Sequence, residues 1–302
     1  MTNPTRDSEN AVRPDQDPFN RHRGLLFTVA YEMLGSVADA EDVLQESWLR
    51  WAAADRAQVR EPRAYLVRLV TRQALNRLRT VQRRRETYVG PWLPEPLATT
   101  PDVADDVELA ESVSLAMLVV LETLSPTERA VFVLREVFGF SYDEIAAATQ
   151  RSADAVRQVA SRARRHVQAR RPRVPDPPDT VEVVDRFLAA AATGDVQQLL
   201  DVLAPDVVLV SDGGGVRKAA LRPIVGPDKV ARFLAAIRPE TAELGIRWTQ
   251  ANGRPAVLLY LGDELDSLAS FTVRSGRVHE VHLVRNPEKL RHVAEPVWLR
   301  RR

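Results

Sequence analysis

The chain has 302 residues, of which 45% are hydrophobic, and a formal net charge of +1, so it is long enough to form two or three domains with buried cores. It contains no cysteine, which excludes disulfides, thiolate metal sites and cysteine nucleophiles and is typical of a reducing compartment. Because no run approaches the roughly 18 apolar residues of a membrane span, and the polar N-terminus is unlike a signal peptide, we expect a soluble, cytoplasmic protein.

The small net charge hides a strong segregation of charges along the chain. Nine arginines lie between Arg60 and Arg85 against one acid, and eight lie between Arg151 and Arg173 against one acid. The segment 86–128 between these blocks contains acids but no base. Such blocks indicate contact with a polyanion, although solvated helix faces are the alternative.

We expect a disordered N-terminus over residues 1–17 and a helical domain over residues 18–87. Ser36 resembles the N-cap of a capping box, and apolar residues then recur at helical spacing as far as Trp51. The side chains that face away from this stripe are Asp42, Gln45, Glu46 and Leu49. Pro62 opens a further helix. Its polar face is mostly basic: Arg68, Arg72, Asn76, Arg79 and Arg83.

Residues 88–107 are predicted to form a linker, because four prolines exclude a continuous helix. Its aromatic residues Tyr88 and Trp92 are unusual for a passive spacer and indicate that the linker docks on another part of the protein.

Residues 108–171 are predicted to form a second helical domain. Ser125 and Ser141 each begin a capping box, and Ser152 is the N-cap of the last helix. The two last helices, joined by a short polar turn, indicate a helix-turn-helix. Apolar residues of the second one face inward, and its outward face is polar: Asp154, Arg157, Gln158, Ser161, Arg162 and Arg165.

After a proline-rich linker at 172–179, residues 180–302 are predicted to form an α+β domain with a curved antiparallel sheet. The predicted strands are 207–210, 219–225, 244–250, 256–260, 268–273 and 278–284, with a helix over 227–237. Asn252-Gly253 and Ser275-Gly276 are hairpin-turn signals.

Three stretches resemble bacterial RNA polymerase sigma factors. "GSVADAEDVLQESWLRW" is similar to the segment that binds core polymerase, and "EPRAYLVRLVTRQALNRLRTVQRRRE" is similar to the region that meets the −10 promoter element. "LSPTERAVFVLREVFGFSYDEIAAATQRSADAVRQVASRARRHV" is similar to region 4, which binds the −35 element. The presence of regions 2 and 4 alone is the layout of the extracytoplasmic-function (ECF) group. The resemblance implies region 2 over 18–87, region 4 over 108–171, and capture of a flipped base by segment 52–61.

The resemblance also implies three sets of binding residues. Those expected to bind core polymerase, at the β′ clamp helices with β as a further contact, are Asp39, Glu41, Asp42, Gln45, Glu46 and Leu49. Those expected at the −10 element of promoter DNA are Arg60, Arg72, Asn76, Arg77, Arg79 and Arg83. Those expected at the −35 element are Ser152, Asp154, Arg157, Gln158, Ser161, Arg162 and Arg165.

The C-terminal part resembles the SnoaL-like branch of the NTF2-like fold, an α+β cone around a pocket. The whole chain resembles the SigJ-like group of ECF factors, through "YVGPWLPEPL", "SDGGG" and "NPEKL". That resemblance implies that the extension regulates the sigma core by direct contact. The expected contact residues are Tyr88, Trp92, Asp212, Gly213, Gly214, Gly215, Asn286, Pro287 and Lys289. The group usually has a lysine directly after the glycines, where this chain has Val216.

Some relatives of this fold are enzymes that use Asp or His within the cone. The candidates here are Asp212, Asp263, Glu264, His279 and His282. His279 and His282 are three apart on a predicted strand and so face opposite ways, and no acid–base pair stands out. We therefore predict no enzymatic activity, cofactor or metal. The alternative is a helix-turn-helix regulator with a small-molecule-sensing or cyclase- or isomerase-like C-terminal domain.

Overall fold

The computed structural model describes residues 17–99, 107–170, 180–237, 244–293 and 299. The predicted disordered N-terminus, the acidic end of the first linker and the second linker fall almost wholly outside these residues. In the part of the chain that is described, no helix is both long and apolar enough to span a membrane.

The first helical domain consists of α1 Pro18–Leu34, α2 Val37–Ala52 and α3 Pro62–Arg85. The predicted N-cap Ser36 accepts a hydrogen bond from the Asp39 amide, and Gly35 ends α1 with a left-handed φ of 66°. Asp17 caps α1 and also accepts a hydrogen bond from Trp51 Nε1 at 2.9 Å. Local capping therefore fixes the ends of the helices that carry the candidate binding residues.

The second helical domain consists of α4 Val107–Val113, α5 Leu115–Leu121, α6 Pro126–Phe132, α7 Tyr142–Thr149 and α8 Ala153–Gln168. Both capping boxes form, at Ser125 and at Ser141, and Ser152 caps α8. Gln150 adopts a left-handed φ of 56° after α7, which allows the tight turn of the helix-turn-helix. The buried apolar residues of α1 to α8 form one continuous core, so the two helical domains pack together.

In its described residues, the C-terminal domain contains three α-helices and six strands. They are α9 Thr180–Thr193, α10 Val196–Val202, β1 Leu203–Asp212, β2 Ile224–Val225, α11 Pro227–Ile237, β3 Leu244–Ala251, β4 Arg254–Leu261, β5 Glu264–Arg274 and β6 Arg277–Val284. A short 3₁₀ helix, Pro287–Leu290, follows. The strand order is β2-β1-β6-β5-β4-β3.

The prediction of a wholly antiparallel sheet was wrong at one position, because β1 and β6 pair in parallel. Short turns make β3 to β6 an antiparallel meander, whereas β1 reaches β6 through a long connection that does not fix its direction. The strand predicted over 219–225 is reduced to Ile224–Val225. Pro223, which has no amide hydrogen to donate, immediately precedes it at the sheet edge.

The two faces of the sheet have different partners. One face, which includes Phe271, packs under α9, α10 and α11. The other face, which includes Leu258 and Val284, packs against Leu93 of the linker and Leu115 of α5. The C-terminal domain therefore lies with one side of its sheet against the helical domains.

The linker runs through this contact in an extended conformation. Leu93 to Thr99 are buried, and Ala98 forms an antiparallel bridge with Ala251 at the end of β3. The Thr99 amide donates to the Gln250 carbonyl at 3.1 Å. The described part of the linker is therefore docked on the edge of the sheet.

Candidate nucleic-acid interface and interdomain contacts

The helix predicted to recognise the −35 element presents its polar face to solvent. Its buried side is apolar: Val156, Val159, Ala163 and Val167. All seven predicted side chains are exposed: Ser152, Asp154, Arg157, Gln158, Ser161, Arg162 and Arg165. This face offers guanidinium, amide and hydroxyl groups that can bond to phosphates and to base edges in a major groove.

The helix predicted to meet the −10 element is less accessible than α8. Of the residues predicted to meet this element, Arg72, Asn76 and Arg79 on α3 are exposed, as is Arg60 before it, whereas the side chain of Arg83 lies outside the described residues. Arg72 Nη2 donates to the carbonyl oxygen of Ala147 in α7 at 3.1 Å. This contact places α3 directly against the first helix of the helix-turn-helix.

The face of α2 predicted to bind core polymerase is engaged by side chains of the same chain. Arg77, which was predicted to contact DNA, donates to Asp39 at 2.7 Å and to Asp42 at 2.9 Å. Two further contacts are made by Gln73 to Glu46 at 3.0 Å and by Arg23 to Glu41 at 2.6 Å. Gln45 is exposed and Leu49 is 64% exposed, which leaves them accessible to a partner.

A groove of about 740 Å³ lies between the two helical domains, with walls from residues 54–68 and 134–148. Tyr65 lines it and packs against Trp51 with 5.7 Å between ring centres. The Arg63 guanidinium lies 5.1 Å from the ring centre of Phe140. The segment expected to capture a flipped base therefore faces α7 in this structure.

Asp212, at the end of β1, is fully buried at the contact between the linker and the C-terminal domain. Tyr88 Oη donates to one of its carboxylate oxygens at 2.6 Å, and the Leu93 amide donates to the other at 2.8 Å. Lys289 Nζ donates to Asp212 at 2.6 Å and to the Leu93 carbonyl, and Asn286 Nδ2 donates to Tyr88 Oη at 2.8 Å. We call these five residues the Asp212 cluster.

Burial changes the protonation equilibria of the Asp212 cluster. It lowers the pKa of Lys289 from 10.5 to about 8, although the Asp212 carboxylate acts in the opposite direction. Burial also raises the pKa of Tyr88, and the hydrogen bond to Asp212 adds to this effect. The phenol therefore stays protonated at neutral pH and remains a donor to Asp212.

The loop that contains Gly213, Gly214 and Gly215, here called the glycine loop, packs at the edge of the Asp212 cluster. Gly214 has a left-handed φ of 61°, and a Cβ there would overlap the side-chain amide of Asn286. A Cβ on Gly215 would lie 3.3 Å from Cβ of Val89 in the linker, and one on Gly213 would overlap backbone of the same loop. At Gly214 and Gly215 the absent side chain thus allows two segments to approach each other.

Lys289 supplies the cation of the Asp212 cluster, and the residue after the glycines does not. Val216, at the position where the family usually has lysine, is 72% exposed. Asn286 caps the 3₁₀ helix that starts at Pro287, and that helix carries Lys289 towards Asp212. The "NPEKL" stretch therefore positions a buried ammonium.

Trp92 lies between two cations from different domains. The Arg85 guanidinium is 3.4 Å from the ring centre and Lys289 Nζ is 4.0 Å from it. Arg85 also pairs with Glu122, which pairs in turn with Arg129 of α6. Burial lowers the pKa of each of these two guanidinium groups to about 9.

Arg85, Glu122 and Arg129 were not among the predicted contact residues. The sequence indicates Arg85 only as part of a basic block. Glu122 ends the apolar run "LAMLVVLE". An acid at the end of such a run was the only local indication that Glu122 pairs with a buried cation. Asn252 was also missed, because "NG" indicated a hairpin turn and nothing more, whereas the structure buries Asn252 at 1% exposure.

The C-terminal domain contains a mostly apolar cavity of about 90 Å³ between α9, α11 and the sheet. Its wall includes Phe187, Leu234 and Phe271, and its charged groups among the described residues are Asp266 and Arg285. These two form a buried ion pair with 2.9 Å between Arg285 Nη2 and Asp266 Oδ1.

The five acid–base candidates lie outside the described wall of that cavity. Asp212 belongs to the Asp212 cluster, and Asp263 is exposed at a turn. Glu264 pairs with Arg217, and His279 pairs with Asp206 at 3.0 Å. Burial lowers the pKa of His282, which is therefore neutral at neutral pH.

Comparison with protein-family models matches residues 19–85 to sigma-70 region 2, residues 114–167 to sigma-70 region 4, and residues 184–286 to a SnoaL-like domain. The chain is 38% identical over 290 residues to the ECF RNA polymerase sigma factor SigJ of Mycobacterium tuberculosis (strain ATCC 25618 / H37Rv), covering 90% of this chain and 91% of that protein.

A second relative is the probable ECF RNA polymerase sigma factor SigI of Mycobacterium tuberculosis (strain CDC 1551 / Oshkosh), 31% identical over 281 residues, which cover 92% of this chain and 95% of that protein. The crystal structure of the Mycobacterium tuberculosis ECF sigma factor SigJ matches with a TM-score of 0.70 and 35% identity, covering 89% of this chain and 96% of that one. The chain belongs to the ECF RNA polymerase sigma factors and carries sigma-70 regions 2 and 4 followed by a SnoaL-like domain.

Proposed function

We propose that this sigma factor contacts core polymerase through α2, the −10 element through α3 and the −35 element through α8. The observation that carries the proposal is the exposed polar face of α8, which lies opposite an apolar face buried in region 4. Its cations can bond to phosphates while Gln158 and Arg162 reach base edges. Because core polymerase and promoter DNA are cytoplasmic in bacteria, we place the action of the protein there.

We propose further that the C-terminal domain holds regions 2 and 4 in a closed arrangement that opens on core polymerase. In this arrangement Arg72 bonds to Ala147, and Arg77 bonds to the acids Asp39 and Asp42 of α2. Contacts to DNA and to polymerase by these side chains therefore compete with contacts inside the chain. The sheet of the C-terminal domain packs on α5 and on the linker, and so supports the closed arrangement.

We infer that the C-terminal domain is regulatory and not catalytic. The relatives are named as sigma factors, and the two ionisable groups in the described cavity wall, Asp266 and Arg285, bind each other. Arg285 donates to both oxygens of the Asp266 carboxylate, and this bidentate pair leaves neither oxygen free to take a proton from a substrate.

A reconstituted transcription assay tests the proposed DNA contacts. We expect the protein with core polymerase to produce run-off transcripts from promoters that its holoenzyme selects from genomic fragments. Arg162→Ala removes a cation from the exposed face of α8 and should reduce these transcripts roughly tenfold. Arg170→Ala, which removes an equally exposed arginine after the end of α8, is the matched control and should have little effect.

Two results would contradict the proposal. One is equal loss of transcripts in Arg162→Ala and Arg170→Ala. The other is binding to duplex operators by a protein that never associates with core polymerase, which is the behaviour of an ordinary helix-turn-helix regulator.

A further inference from the structure

We propose that the β3–β4 turn, Asn252 and Gly253, inserts between regions 2 and 4 and stabilises their closed arrangement by bonding to both. We call this inserted turn the wedge. The turn belongs to the C-terminal domain, but the groups around it come from the linker, region 2 and region 4. This inference deepens the proposed restraint and rests on it.

The side chain of Asn252 uses its donors and its acceptor on three parts of the chain. Its Nδ2 donates to Tyr31 Oη of α1 at 2.7 Å and to the Val113 carbonyl of α4 at 2.9 Å. Its Oδ1 accepts from the Leu97 amide of the linker at 3.0 Å. One buried amide thus satisfies polar groups of region 2, region 4 and the linker at once.

The backbone of the turn is held as closely as its side chain. The Asn252 amide donates to the Leu97 carbonyl at 2.8 Å, and the Gly253 amide donates to Thr99 Oγ1 at 3.0 Å. A Cβ on Gly253 would lie 2.7 Å from Cα of Ala110 in α4, so only glycine fits there. The turn is therefore inserted against α4 without a gap.

The binding surface for this turn exists only while α1 of the first helical domain and α4 of the second are together. Tyr31 lies in α1 and Val113 ends α4, so Asn252 can bond to both only when these helices are adjacent. An element that binds the closed arrangement and not the open one shifts the equilibrium towards the closed arrangement. Loss of its contacts also leaves the buried Tyr31 hydroxyl and Val113 carbonyl with fewer partners, which adds to the effect.

The β5–β6 turn provides a matched control within the same sheet. Ser275 and Gly276 have φ values of 48° and 69°, close to the 54° and 68° of Asn252 and Gly253. A Cβ on Gly276 would meet no atom within 4 Å. Equivalent substitutions in the two turns therefore cause similar backbone strain but differ in their contact with regions 2 and 4.

The test measures the distance between region 2 and region 4 in the full-length protein. Because the chain has no cysteine, Ala57→Cys and Gln168→Cys give a unique pair of labelling sites, both exposed. We expect Asn252→Gly, which keeps the left-handed backbone and removes the amide, to raise the ratio of long to short distances roughly tenfold or more. Each buried hydrogen bond that is lost contributes about a factor of five. Gly253→Ala should act in the same direction, and Ser275→Gly and Gly276→Ala should not.

Circular dichroism of each variant establishes that it is folded. If Gly253→Ala does not fold, the distances measured in Asn252→Gly alone decide the test. A folded Asn252→Gly protein with the wild-type distance distribution overturns the wedge, as does an equal change in the control turn. Lys289→Gln, in the Asp212 cluster, separates this failure from that of the proposed restraint. If Lys289→Gln lengthens the distance and Asn252→Gly does not, the restraint stands and the wedge is wrong. If neither variant does, both are wrong.

Discussion

Lys289 is a buried ammonium that contacts groups of the linker and of its own domain. It donates to Asp212 and to the Leu93 carbonyl and lies over the ring of Trp92. A buried charge is tolerated when its donors are used and a countercharge is close, but desolvation still opposes it. The balance between these effects makes the contact sensitive to pH.

The pH dependence of stability provides a prediction at this scale. The pKa of Lys289 is about 8 in the folded protein and 10.5 without burial, so between these values the unfolded state binds more protons. The contribution of Lys289 to stability therefore rises as the pH increases from about 8 towards 10.5. Thermal unfolding at about pH 7 and about pH 9.5 should show the wild type gaining relative to Lys289→Gln. A constant difference between the two proteins would contradict this assignment.

Single residues also show where prediction from the sequence stops. Tyr88, Asp212 and Lys289 were named because short signatures resemble those of a known group, and the structure brings them together. Arg129 and Asn252 carry no such signature. Their contacts depend on how three separate segments pack, which no local pattern of residues encodes.

At the scale of elements, the glycine loop and the 3₁₀ helix after β6 fit each other through Gly214. This glycine has a left-handed φ of 61°, and a Cβ there would overlap the amide of Asn286. Gly262, in the β4–β5 turn, also has a φ of 61°, but a Cβ there would meet no atom within 4 Å. The two positions share their left-handed backbone conformation and differ in the contact with Asn286.

We therefore expect Gly214→Ala to destabilise the protein more than Gly262→Ala. Both substitutions place a side chain in the left-handed region, which costs about 1–2 kcal/mol. Gly214→Ala adds an overlap whose relief costs roughly 1–3 kcal/mol more. Thermal unfolding of the two variants measures the difference, and equal melting temperatures would show that the loop does not pack tightly on Asn286.

The positions of the helices agree more closely with the sequence-based prediction than the pairing of the strands does. Caps at Ser36, Ser125 and Ser141 and apolar residues at helical spacing are local signals, and the helices begin where these signals lie. The direction of β1 against β6 was not predictable in this way. It depends on a pairing between strands that are far apart in the sequence.

In the whole molecule, the C-terminal domain holds the first linker at two successive points along its length. The Asp212 cluster holds the linker at Tyr88 and Leu93, and the β3–β4 turn holds it at Leu97 and Thr99. The linker connects regions 2 and 4, so fixing it limits how far the two regions can separate. In the proposed function, this limit is released when both regions bind promoter DNA on one polymerase.

In the proposed function, this sigma factor is closed when free and opens on core polymerase. The most direct test is the distance between labels at Ala57→Cys and Gln168→Cys, measured before and after core polymerase is added. We expect short distances in the free protein and a clear shift to long distances in the complex. An unchanged distribution in a complex that is active in transcription would contradict it.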